Sequence, residues 1–192
     1  MLRRRTPVRI HFGRGEMCVL PRAIASVQKG SAVIVISASA WESKKGLIQP
    51  VIELIRATRN VVEIRSGSRA SSGWLRKTVS RVPVDARVFI GIGGGSVMDA
   101  TKALAVMSST GRSIESLLDE PPHKDYVRNN TLVLVPTTFA TGSETSQGSV
   151  VIDDRSGMRK NLKGPFSLPQ VAIVDPSPDD ATIALRQRFD AT

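Results

Sequence analysis

Strands alternating with helices predict an α/β fold: a doubly wound, Rossmann-like parallel sheet with a β-hairpin set late in the chain. Three observations carry this expectation. Residues 32–36 are a pure β-branched and apolar run, and 86–92 read as a second strand of the same kind, as in strands covered on both sides. Segments with helical apolar spacing stand between such runs. Finally, Phe89-Ile90-Gly91-Ile92 leads into Gly93-Gly94-Gly95 and then a helix opening with Ser96, a turn that leaves backbone N–H groups free to meet a phosphate.

In chain order, 8–12 reads as a strand and 20–29 as a helix closed by Gly30. After the strand 32–36, residues 42–57 place Leu47, Val51, Leu54 and Ile55 at helical spacing, with Pro50 implying a kink or a late start. A strand at 61–64 and a shorter helix at 71–82 precede the strand that ends in the glycines. The following helix carries Val97, Ala100, Leu104 and Met107 on one face. A strand at 131–135 runs into the hydroxyl-rich Pro136-Thr137-Thr138-Phe139-Ala140-Thr141-Gly142-Ser143-Glu144. Asp153-Asp154-Arg155-Ser156-Gly157 marks a hairpin turn. A last strand at 171–174 is followed by a helix from about Asp179. Residues 1–192 therefore form a single domain.

Composition narrows the function. The hydrophobic share is 41%, and no run approaches the roughly 18 apolar residues of a membrane helix. Met1-Leu2-Arg3-Arg4-Arg5 is basic, but no signal-peptide core follows, so the expected location is cytoplasmic. Cys18 is the single cysteine, and His11 and His123 lack metal-ligand spacing. The net charge of +10 is spread over many elements, with only 4% aromatics and no recognition motif. That disfavours nucleic acid and favours an anionic cofactor or an acidic partner surface.

Ser96 and Asp99 have the spacing of a capping box, and Lys102 the spacing of a helix ion pair with Asp99. Thr137, Thr138, Thr141 and Ser143 are hydroxyls able to bond ribose or phosphate, and Lys160 follows the hairpin turn. Alone, each has a structural explanation: a cap, a turn, a solvated lysine. Two polar loops at the ends of apolar strands together point to a nucleotide site.

These motifs resemble the iron-containing (group III) alcohol dehydrogenases, related in fold to dehydroquinate synthase and glycerol dehydrogenase. The resemblance spans Phe12-Gly13-Arg14-Gly15, the G-G-G-S-x-x-D-x-x-K pattern at 93–102, the loop at 136–144, and Leu168-Pro169 followed by Val171-Ala172-Ile173-Val174-Asp175-Pro176. It implies NAD(P) binding, with Gly94, Gly95 and Ser96 lining the pyrophosphate, Gly93 also cofactor-binding, and Asp99 towards the nicotinamide. Thr137, Thr138 and Thr141 match the second cofactor loop, and Lys160 a lysine near the nicotinamide ribose. Ala140 replaces the glycine usual in that loop. Ser37 stands where NAD-using members place an aspartate on the adenosine ribose. With Ser39, Lys44 and Lys45 nearby, this tilts the expectation towards NADP.

The family's helical second domain supplies an aspartate and three histidines for Fe²⁺ or Zn²⁺, beginning with a G-x-D-A-x-x-H segment. The sequence ends at Thr192, about where that segment is expected. The resemblance thus implies a dinucleotide-binding domain truncated relative to the family, with no catalytic or metal-ligating residue of its own, inactive alone. It would depend on a separate helical domain or on homo-oligomerisation. The alternative is a non-catalytic nucleotide-binding or interaction module on the same scaffold.

Overall fold

The computed structural model describes residues 8–27, 29–66, 69–122, 125–138 and 141–176. His123, Ala140 and the helix expected from Asp179 lie outside them. Six parallel strands form the main sheet: β1 (Arg9–Phe12), β2 (Ala32–Ser37), β3 (Val61–Ser66), β4 (Val88–Gly93), β5 (Thr131–Pro136) and β8 (Val171–Val174). Their order is β1-β8-β5-β4-β2-β3, and β6 (Val150–Asp153) pairs antiparallel with β7 (Met158–Asn161) as the late hairpin.

Period-two alternation divides the central strands between two cores. Ala32, Ile34 and Ile36, with Val88, Ile90, Ile92, Val133 and Val135, pack on one face. Val33, Val35, Phe89, Leu132 and Leu134 pack on the other. Both sides are dry, which explains the unbroken apolar runs. Each fully buried Ile or Phe contributes roughly 1.5–3 kcal/mol relative to an exposed one.

The first face is covered by α1 (Leu20–Ala25) and α2 (Ala38–Arg56), the second by α3 (Ser72–Val79), α4 (Gly95–Thr110) and α5 (Ile114–Asp119). Several boundaries depart from expectation. A 3-10 turn, Glu16–Val19, precedes α1, which stops at Ala25. The helix α2 starts earlier than expected, because Ser37 caps it by accepting the Ala40 N–H at 3.0 Å. Its break is at Lys44 (φ −131°, ψ 22°), and Pro50 sits within the second segment. Leu54 is 38% exposed, and Ile48 and Ile52 face the core instead. The short helix α5 has no counterpart among the expected elements; Ser113 caps it by accepting the Ser116 N–H.

Asp175, just past β8, accepts N–H groups of Gly15 (3.1 Å) and Met17 (2.8 Å), tying the first glycine motif to the end of the sheet.

Candidate functional site

The carboxyl ends of β2, β3, β4 and β5 open on one edge of the sheet. From β2 the chain crosses through α2 to β3 on one side; from β4 it crosses through α4 to β5 on the other. This reversal between β2 and β4 makes a crevice where α/β sheets hold ligands.

Glycines set how closely the walls approach. A Cβ on Gly93, whose φ is +158°, would lie 2.9 Å from Val97 Cβ and 3.2 Å from Ser37 Cβ, so only glycine lets α4 turn this tightly off β4. A Cβ on Gly95 would meet Thr141 Cγ2 at 3.0 Å. Gly94 is the N-cap of α4 and offers no capping side chain. The helix therefore starts two residues too early for the expected box. Ser96 is not the cap, and Asp99 lies in the second turn. The Asp99 carboxylate is engaged elsewhere, accepting the Ser143 hydroxyl at 2.7 Å. The first turn of α4 consequently meets the crevice with its amide dipoles uncapped.

Two lobes meet at Gly95 and Ser96. One, about 420 Å³, is lined by Ser37, Ser39, Glu42, Ser66, Gly94 and Thr138 among others. The second, about 540 Å³, runs from Ser96 and Asp99 past Thr141 and Ser143 to the hairpin. Thr138 and Thr141 thus stand in separate lobes. Thr137 lines neither; its N–H instead donates to the Gly93 carbonyl at 3.0 Å, joining the two loops.

The helix α4 fixes the far wall of the larger lobe. Lys102, fully buried, donates to the carbonyls of Ser146 (3.1 Å) and Gly148 (2.7 Å) and to the Ser146 hydroxyl (3.1 Å). The Ser149 hydroxyl donates to the Asp99 carbonyl at 2.7 Å. Lys102 is therefore a clasp on the 146–148 loop as well as a neighbour of Asp99. Burial lowers its pKa to about 8, against the opposing charges of Asp99 and Glu144. Burial likewise raises the Asp99 carboxyl, against the Ser143 hydrogen bond and the Lys102 charge.

The hairpin decides which basic residues face the lobe. Across the β6–β7 ladder, Ile152 opposes Arg159 and Val150 opposes Asn161, and these four line the cavity. Lys160 is on the other face. Its ammonium pairs with Asp153 (2.9 Å) and Asp119 (3.0 Å), beside Arg155, which binds the same two carboxylates. Arg159 and Lys163, two and six residues along the alternation from Gly157, are cavity-facing cations at the hairpin, and neither belongs to a motif. Alternation about the turn was the signal that could have found them. Arg69 also lines this lobe, brought there by a bridge between Ser71 and Ile152 that no local pattern announces.

Among the described residues, no group of three or more His, Cys, Asp or Glu side chains could hold a metal ion. His11 lies 3.7 Å from Glu16, near the first glycine turn, and Cys18 is buried. No helix of the described residues is long and apolar enough to cross a membrane.

Residues 7–176 match the family model for iron-containing alcohol dehydrogenase. The probable NADH-dependent butanol dehydrogenase 1 of Bacillus subtilis (strain 168) is 28% identical over 174 residues, which cover 88% of this chain and 44% of that protein. The crystal structure of NADH-dependent butanol dehydrogenase A from Thermotoga maritima is similar in fold, with a TM-score of 0.79 at 21% identity, covering 93% of this chain and 45% of that one. Sulfoacetaldehyde reductase from Bifidobacterium kashiwanohense, solved in complex with NAD⁺, gives a TM-score of 0.71 at 22% identity, covering 88% of this chain and 45% of that one. The chain spans less than half the length of the curated relatives it matches.

Proposed function

The chain belongs to the iron-containing alcohol dehydrogenase family, and from that premise we propose that it is the dinucleotide-binding part of an NAD(P)-dependent alcohol dehydrogenase. The observation that carries the reading is the uncapped start of α4, crowded by Thr138 and Thr141 so that a pyrophosphate fits against backbone rather than side chains. The amides of Gly95 and Ser96 hold the pyrophosphate. Thr138 and Ser37 serve the adenosine half in the smaller lobe, and Thr141, Ser143 and Asp99 flank the nicotinamide half in the larger. Asp99 is held in place by Ser143. When bound, the nicotinamide supplies the hydride acceptor or donor for an alcohol–aldehyde pair. The described residues do not fit a Fe²⁺ or Zn²⁺ site, so they account for holding and orienting the dinucleotide, and the chain by itself is proposed not to turn over alcohols.

Arg159 takes the place at the nicotinamide ribose that the sequence resemblance assigned to Lys160, because of these two neighbours it is Arg159 that faces the lobe. NADP(H) is proposed to bind at least as well as NAD(H). Ser37 brings no charge against a 2′-phosphate and stands at the N-terminus of α2, while Glu42, exposed in the same lobe, works against it. Lys45 and Arg65 stack on Trp41 instead of lining the lobe.

Fluorescence titration of NADPH and NADH tests both parts. Binding of each, with NADPH at least equal and Ser37→Asp weakening NADPH by about tenfold through charge repulsion, is the expected outcome. Absence of binding would refute the function. A clear preference for NADH would refute the selector.

A further inference from the structure

The larger lobe carries more positive charge than a dinucleotide calls for. Arg69, Arg159 and Lys163 line it, and among the described residues Asp99 is the one lining carboxylate, already engaged by Ser143. Among the described residues, none of the three cations has a side-chain hydrogen bond or ion pair. Several basic groups elsewhere are tied down: Arg155 to Asp119 and Asp153, Arg76 to Glu115, and Arg128 to the carbonyls of Phe166 and Leu168. Arg69, Arg159 and Lys163 instead stand together around one cavity.

The pyrophosphate does not account for them. It sits at the Gly94–Ser96 turn, where the lobes meet and the start of α4 answers it. The cations stand on other walls, the hairpin and the segment after β3. The nicotinamide ring cannot use them either, since it carries a positive charge when oxidised. Three cations around it would weaken the oxidised cofactor unless an anion joins it. The lobe is also polar where a plain alkyl chain would want apolar walls: Ser146, Gln147 and Asn161 line it beside Val150 and Ile152.

We propose that the alcohol–carbonyl pair handled in this lobe carries an acidic group, a carboxylate or sulfonate, which Arg69 and Lys163 hold while Arg159 attends the cofactor. This rests on the dinucleotide reading above. In the reducing direction the carbonyl carbon gains a hydride from the reduced nicotinamide and the C=O π pair moves to oxygen. That oxygen takes a proton from solvent, giving a hydroxy acid and the oxidised cofactor. Arg69 and Lys163 are specificity-determining residues, since they touch the acid group and not the reacting carbon.

The test compares two alcohols of equal chain length, 4-hydroxybutyrate and 1-butanol, as partners for NADP⁺ binding to the full chain. Calorimetry is run at constant ionic strength, with inorganic sulfate as a third addition. The acid should tighten NADP⁺ by about tenfold over 1-butanol. The Arg69→Gln/Lys163→Gln variant should bring that ratio to about one, and Arg69→Lys/Lys163→Arg should retain most of it. Equal effects of acid and alcohol, with NADP⁺ still bound, would overturn this proposal and leave the dinucleotide function standing. Sulfate matching the acid would overturn it too, as a general anion effect. Failure to bind NADP⁺ under every condition would overturn both.

Discussion

Lys102 carries an ammonium into a space without solvent, where three oxygens of the 146–148 loop receive it. Its burial has a signed consequence for stability. The folded pKa is about 8, against 10.5 for the ordinary side chain, so between these values the unfolded chain binds more protons. Stability therefore rises with pH through that window from this group, the reverse of a lysine that gains an acidic partner. Lys102→Met should lose about 1–3 kcal/mol at pH 7, because the Ser146 and Gly148 carbonyls lose their donor. It should also lack the rise above pH 8, so the gap from the unaltered protein widens with pH. Urea unfolding at pH 7 and pH 10 measures both, and parallel pH profiles would show that Lys102 is not the group responsible. The sequence showed Lys102 only as a helix ion pair. Its burial depends on a loop more than forty residues away folding onto α4.

Element geometry, not residue type, separates Arg159 from Lys160. Adjacent residues of β7 point to opposite faces, so one lines the cavity and the other completes a cluster with Asp119, Asp153 and Arg155. Arg155 and Lys160 hold the carboxyl of buried Asp153 well below the usual carboxylate range. Two substitutions should therefore behave differently. Arg159→Gln should weaken dinucleotide binding severalfold with little change in stability. Lys160→Met should lower the melting temperature with little change in affinity. Thermal melts and NADPH titrations of both variants check this, and the opposite pattern would return Lys160 to the cofactor. The strands β2, β4, β5 and β8 and the hairpin turn were legible because apolar runs and turn residues report on local geometry. The start of α2 and the whole of α5 were less so, since a serine cap and a short apolar stretch are weak signals next to Pro50 or a long helix.

At the scale of the molecule, the parallel order β1-β8-β5-β4-β2-β3 brings motifs far apart in the chain to one sheet edge. Gly93, Gly94, Gly95 and the threonine loop stand out in the sequence because each motif is short and continuous. The sequence did not disclose the division into two lobes, the backbone bond joining Thr137 to Gly93, or the arrival of Arg69. Those depend on which strands become neighbours. The central claim is that backbone amides at the start of α4 receive the dinucleotide pyrophosphate. Gly94→Val probes it well, because φ −78° and ψ −176° are open to valine, so the backbone can persist. A Cβ there would stand 3.1 Å from Thr138 Oγ1, and its methyls would crowd the phosphate. The most direct measurement is amide NMR of the chain during NADPH addition, in the unaltered protein and in Gly94→Val. Large shifts and slowed exchange at Gly95 and Ser96, lost in the variant, are the predicted result. Binding that leaves those two amides unmoved, or persists undiminished in Gly94→Val, would contradict the account.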